Sequence, residues 1–142
     1  MSNILVPIDG SDAANRALEF AIRLLRGRPD AAIHALYVHP AIDVSGKVQI
    51  YVSLERMREM ATEQSRPILD RAAARLDEAE MRHTVEMLEG DAAELIARRA
   101  EELGCDAIIM GSRGMGRIAN LVIGSVATKV VHLSNLPVTL VK

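Results

Sequence analysis

Five short apolar runs alternate along the chain with longer stretches in which apolar residues return at helical spacing. The first run, Ile4-Leu5-Val6-Pro7-Ile8, is continuously apolar, as expected of a parallel strand buried on both faces. Ala32 to Val38, His83 to Leu88, Ala107 to Met110 and Pro137 to Val141 are of similar length and β-rich character. Between the first two, Ala14, Ala17, Leu18, Ala21, Ile22 and Leu25 share one helical face. Ser11 or Asp12 serves as the N-cap of that helix, and Gly27 as its C′ stop. A second, long helix is predicted from Ser53 to Met81. Its stripe of Leu54, Met57, Ala61, Ile68, Ala72, Leu76 and Ala79 keeps the helical period across Pro67. A kink or short break is therefore expected there, rather than two unrelated helices. The third helix follows an Asp91 cap, carries Leu95, Ile96, Ala100 and Leu103, and stops at Gly104. The fourth opens near Gly124-Ser125 and carries Val126, Val130, Val131 and Leu133.

Strands alternating with helices specify an α/β architecture, a doubly wound five-stranded parallel sheet with helices on both faces. At 142 residues the chain has the size of a single domain, 1–142, and no linker or repeat divides it. The one long connection, Pro40 to Val52, is where a lid or binding loop would sit. The 17 basic and 19 acidic side chains leave a net charge of −2, which argues against nonspecific nucleic-acid binding and a polybasic membrane surface. With only Phe20, Tyr37 and Tyr51 as aromatics, a base-stacking platform is not expected either. Cys105 is the single cysteine and has no internal partner, so a reducing, cytoplasmic location is expected. No basic leader precedes the first apolar run, and no apolar stretch reaches the roughly 18 residues of a membrane span. No membrane insertion is expected.

In open α/β sheets ligands bind beyond the carboxyl ends of the strands, where the winding direction reverses. A chain that starts in mid-sheet places strands one and four beside that crevice. Strand one ends Pro7-Ile8-Asp9-Gly10-Ser11, and strand four ends Met110-Gly111-Ser112-Arg113-Gly114. Gly111 is read as allowing a ligand close to the backbone, and Gly114, with Gly116, as permitting positive-φ turns that aim N–H groups inward. Gly124 and Ser125 begin a helix, whose free N–H groups and positive dipole end suit phosphate. Arg113 and Arg117 supply compensating charge, and Asp9 is placed to bind ribose hydroxyls or a Mg²⁺ that bridges phosphates. The sum is a nucleotide-shaped site.

With its glycine motif, Gly111 and Gly114 followed by Gly124-Ser125, the sequence resembles the ATP-binding branch of the universal stress protein family. The opening Ile4-Leu5-Val6-Pro7-Ile8-Asp9-Gly10-Ser11, the Gly124-Ser125-Val126-Ala127 turn and the closing Leu136-Pro137-Val138 belong to the same likeness, which covers nearly the whole chain. The resemblance implies strand order 3-2-1-4-5 and ATP, with Mg²⁺, as ligand. It implies that Asp9 lies near ribose and metal, that Val38 offers its backbone to adenine, and that Pro7 packs beneath the adenine. It further implies that Met110, Gly111, Arg113 and Gly114 line ribose and phosphates, while Gly124, Ser125 and Val126 hold the phosphate tail. Tyr37 and His39 depart from the family's commoner neighbours of Val38. The family's closing strand pairs with its two-fold mate, so a homodimer through Pro137 to Val141 is expected, with a protein partner left unidentified.

Other features point to less. Ser45-Gly46-Lys47-Val48 follows a strand as a phosphate loop would, but Ala41 and Val48 stand where that motif needs Gly and Ser or Thr. His34, His39, His83 and His132 have no ligand spacing, and Cys105 begins strand four at the end away from the crevice. No catalytic residue is assigned, because no base to orient water is evident. The leading expectation is a dimeric ATP-binding regulatory module of the stress response. A slow ATPase or self-phosphorylating enzyme, at Ser112 or Ser125, and a nucleotide-independent scaffold are the alternatives.

Overall fold

The computed structural model describes residues 2–42, 53–114 and 123–142. Gly116 and Arg117, and Lys47 and Tyr51 of the long connection, lie outside the described residues. The order is β1 (Asn3–Pro7), α1 (Asp12–Leu25), β2 (Ala32–His39), α2 (Leu54–Glu78), β3 (Arg82–Glu89), α3 (Ala92–Glu102), β4 (Ala107–Gly111), α4 (Ser125–Leu133) and β5 (Val138–Val141). All pairings are parallel and the strand order is β3-β2-β1-β4-β5, as the resemblance implies. The order reverses between β1 and β4, which puts the crevice of the doubly wound sheet between Pro7 and Gly111.

Alternate residues of each buried strand serve opposite layers. Ile4, Val6, Ile33 and Ala35 pack with Ala17, Ile22 and Leu25 of α1 and Leu76 of α2. Leu5, Leu36, Ile108 and Met110 pack on the other face with Ile96 and Ala100 of α3 and Val130 of α4. Ile4, Leu5, Val6, Ile33 and Ile108 lose all contact with solvent. Full burial of such side chains stabilises by about 1.5–3 kcal/mol each, which fixes the register and hence the strand tips. Cys105, buried at the foot of β4, has its thiol pushed up to about 11, chiefly by burial.

Helix ends follow the chemistry of their sequences. Ser11, Ser53 and Asp91 cap α1, α2 and α3 by accepting from the N–H groups of Ala14, Arg56 and Glu94. Gly27 and Gly104 take the left-handed conformation just past α1 and α3. The equivalent position after α2 is Glu80, at φ +53, with Met81 N–H donating to the Leu76 carbonyl. No break occurs at Pro67: α2 continues unbroken through it. Pro67 is exposed, so the carbonyl deprived of its usual donor lies on the solvent side of the helix. Among the described residues no helix is long and apolar enough to cross a membrane.

Candidate functional site

Beyond the carboxyl ends of β1, β2 and β4 lies a crevice of about 380 Å³. Pro7 and Asp9 come from β1 and the turn after it, Val38 from β2, and Met110, Gly111, Arg113 and Gly114 from β4 and its loop. Gly124, Ser125 and Val126 enter from the start of α4. All ten residues that the family resemblance assigns to the ligand therefore line one space. Leu36, Ile96 and Ala127 form much of its apolar wall, and Tyr37 and Pro40 lie at its β2 side. Sequence reasoning missed these. The signal available for Ile96 was its place on the apolar face of α3, but that signal marks core residues equally well.

The opening turn is held by two successive side-chain caps. Asp9 Oδ1 accepts from the Ser11 N–H at 2.9 Å, and Ser11 Oγ accepts from the Ala14 N–H at 3.2 Å. Gly10 turns between them at φ +83. With Oδ1 engaged, Oδ2 faces the β4 loop: a Cβ on Gly114 would stand 2.7 Å from it. The charge of Asp9 reaches Tyr37 as well, whose hydroxyl is shifted upward by burial first and by Asp9 second.

Two of the three motif glycines have different reasons to be glycine, and the third is tied in by its backbone. A Cβ on Gly111 would lie 2.8 Å from both the Ala13 carbonyl carbon and the Ala14 nitrogen. The space it leaves is filled by the first turn of α1, so its missing side chain serves helix packing while its backbone lines the crevice. Gly114 is not in the left-handed region, which corrects the expected positive-φ turn there. It is pressed instead against the Asp9 carboxylate. At Gly124 a Cβ would meet only ordinary contacts. Its N–H donates to the Ser112 carbonyl at 2.6 Å, while the Ser112 N–H donates to the Val141 carbonyl at 2.8 Å. These bonds tie the start of α4 to the tips of β4 and β5.

Among the described residues, α4 is the one helix start without a side-chain cap. Its N-cap is Gly124, so the first N–H groups and the Ser125 hydroxyl are left to an external acceptor. That open terminus lies in the crevice wall, which exposed Arg113 also lines. Donors and a cation at one end, with an apolar slot between Leu36, Val38 and Ile96 towards the other, match an anion attached to a flat apolar body. A cation at Asp9 would take one carboxylate from the chain, since no cluster of three or more metal-binding side chains occurs among the described residues. Its remaining ligands would be phosphate oxygens and water, the usual state of Mg²⁺ beside a nucleotide.

Fold and crevice together define an α/β domain with an open crevice at its topological switch point. The chain belongs to the universal stress protein family, whose model matches residues 1–142. It is 33% identical to universal stress protein MJ0531 of Methanocaldococcus jannaschii over 141 residues, covering 98% of this chain and 81% of that one. The structure of MJ0577 from the same organism matches with a TM-score of 0.84 at 27% identity, covering 99% of this chain and 95% of the other. Two further family members share the fold with adenine nucleotides bound. One is from Archaeoglobus fulgidus with dAMP (23% identity, TM-score 0.74, 100% and 98% covered). The other is from Arabidopsis thaliana with AMP (21%, 0.70, 100% and 92%).

Proposed function

We propose that this chain is a single nucleotide-binding domain, 1–142, that binds ATP in the crevice and acts as a homodimeric regulatory module of the cytoplasmic stress response. The observation that carries the reading is the uncapped start of α4, which opens onto the crevice opposite Asp9. Gly124, Ser125 and Val126 hold the phosphate tail there, with Arg113 and Gly114 along its path. Adenine lies in the apolar slot over Pro7, against the Val38 backbone, and Met110 and Gly111 line the ribose. Asp9 binds the ribose hydroxyls, or a Mg²⁺ shared with the phosphates. That relatives of the same fold hold AMP and dAMP supports an adenine nucleotide as the ligand class.

The dimer forms through Pro137 to Val141. Among the described residues β5 is a sheet edge with β4 as its one neighbour, and Val131 and Leu133 of the adjoining helix are about half exposed. An edge strand of this kind is a template for a second copy. What a nucleotide-bound dimer offers to a protein partner is the regulated output. Native mass spectrometry of the nucleotide-stripped protein, recharged with Mg-ATP, tests both parts. Two chains carrying one nucleotide each are expected; a monomer, or a dimer still empty at millimolar ATP, would contradict the reading.

A further inference from the structure

On the opposite side of Asp9 from the crevice, a second groove of about 470 Å³ runs between α1 and α2. Ile8 and Asp9 line both spaces. Its floor is apolar: Ile8, Leu18 and Ala72 are each about 95% buried. Of the charged groups facing it, Glu19 and Arg75 satisfy each other across the two helices through a paired, two-point hydrogen bond. Asp9 is partly engaged by the Ser11 N–H. Two polar side chains remain over the floor, the half-buried amide of Asn15 and the exposed guanidinium of Arg71. Neither makes a side-chain hydrogen bond or ion pair with another described residue.

We infer that this groove is a binding site for a small apolar carboxylate, its acid group on Arg71 and Asn15 and its hydrocarbon body over Leu18, Ile68 and Ala72. Arg71 is the one cation lining the groove without an ion-pair partner among the described residues, so an acid group is the head that it matches. A bare phosphate would gain nothing from the floor, whereas a hydrocarbon body gains about 0.8 kcal/mol for each CH₂ buried. The site is also placed to act on the crevice, a part of the inference that rests on the nucleotide reading. Gly10 packs against Ile68, whose Cγ1 lies 3.5 Å from where a Cβ on residue 10 would stand. A ligand resting on Ile68 thus touches the turn that carries Asp9. Binding at the two sites is linked, and the effect is reciprocal.

Hexanoate and its neutral analogue hexanamide are the probes, titrated into the nucleotide-free protein and followed by NMR at Asn15, Leu18, Ile68 and Arg71. Hexanoate is expected to shift these signals saturably and to bind at least tenfold tighter than hexanamide. Arg71→Gln, an exposed change outside the lining of the crevice, removes that preference while leaving the ATP titration without hexanoate unaltered. Equal binding of acid and amide, an unaffected Arg71→Gln variant, or shifts confined to other regions would overturn the site. Saturating Mg-ATP is expected to change the hexanoate affinity at least threefold, and an unchanged affinity with ATP bound would overturn the linkage. The first titration uses no nucleotide, so its failure counts against the groove alone, and a failed ATP titration counts against the nucleotide reading alone.

Discussion

The Oδ2 atom of Asp9 lies where it leaves no room for a side chain on Gly114: a Cβ there would approach it to 2.7 Å. The two residues line the crevice from its two banks, one after β1 and one after β4. The clashing atom is the end of a side chain, so Gly114→Ala is relieved by rotating the carboxylate rather than by moving backbone. Ligand affinity is expected to fall at least tenfold while thermal stability changes by less than about 1 kcal/mol. A melting temperature that drops along with affinity would mean the glycine serves the fold.

Gly111 predicts the reverse. Its Cβ would strike the Ala13 and Ala14 backbone at 2.8 Å, and neither atom can turn away. Gly111→Ala is expected to cost about 1–3 kcal/mol, as overpacking does, by prising α1 from β4. Urea denaturation of the two variants side by side checks the contrast. Equal losses would refute it.

Glu80 stands at the left-handed position that ends α2, where glycine carries no steric penalty. Glu80→Gly is expected to raise stability by about 0.5–1 kcal/mol, the relieved strain exceeding the added freedom of the unfolded chain. An unchanged or lower urea midpoint would show that Glu80 is held there without strain.

Burial holds His34 below the ordinary histidine range. Nearby Glu86 opposes that shift, while Arg99 and Arg82 add to it. Its Nδ1 lies 2.7 Å from Thr84 Oγ1. The folded state favours the neutral ring, so the unfolded chain takes up the proton more readily. Stability is therefore full above the free-histidine value of about 6.5 and declines as pH falls through it towards the lower folded value. The urea midpoint of the native protein is expected to fall on acidification across this window, and His34→Gln to flatten the fall. Parallel curves would assign the pH dependence to other groups.

These cases show what a sequence reveals and what it withholds. The five strands were legible because short β-rich runs alternate with helical stretches. The central ones, Ile4-Leu5-Val6 and Ala107-Ile108-Ile109-Met110, are apolar without interruption, as a doubly covered sheet requires. The winding order came from the family resemblance. The crevice residues were legible because glycines, an Asp and a Ser gather at strand tips, where core packing gives little reason for them. The individual reasons were not. A positive φ at Gly114 and a close ligand approach at Gly111 are fair guesses for glycine in general, yet the contacts to Asp9 and to Ala13 join residues about a hundred positions apart. The apolar wall of Ile96 and Ala127 was hidden for a related reason, since helical periodicity assigns both to the core. The unbroken path of α2 through Pro67 depends on that proline facing solvent, which the apolar stripe alone leaves open.

Isothermal titration of the nucleotide-stripped protein with Mg-ATP, beside Gly114→Val, tests the central claim most directly. Micromolar binding by the native chain, lost in a variant that still unfolds cooperatively at an unchanged temperature, is the expected result. Equal heats from both proteins, or none from either, would contradict an ATP site between Asp9 and the start of α4.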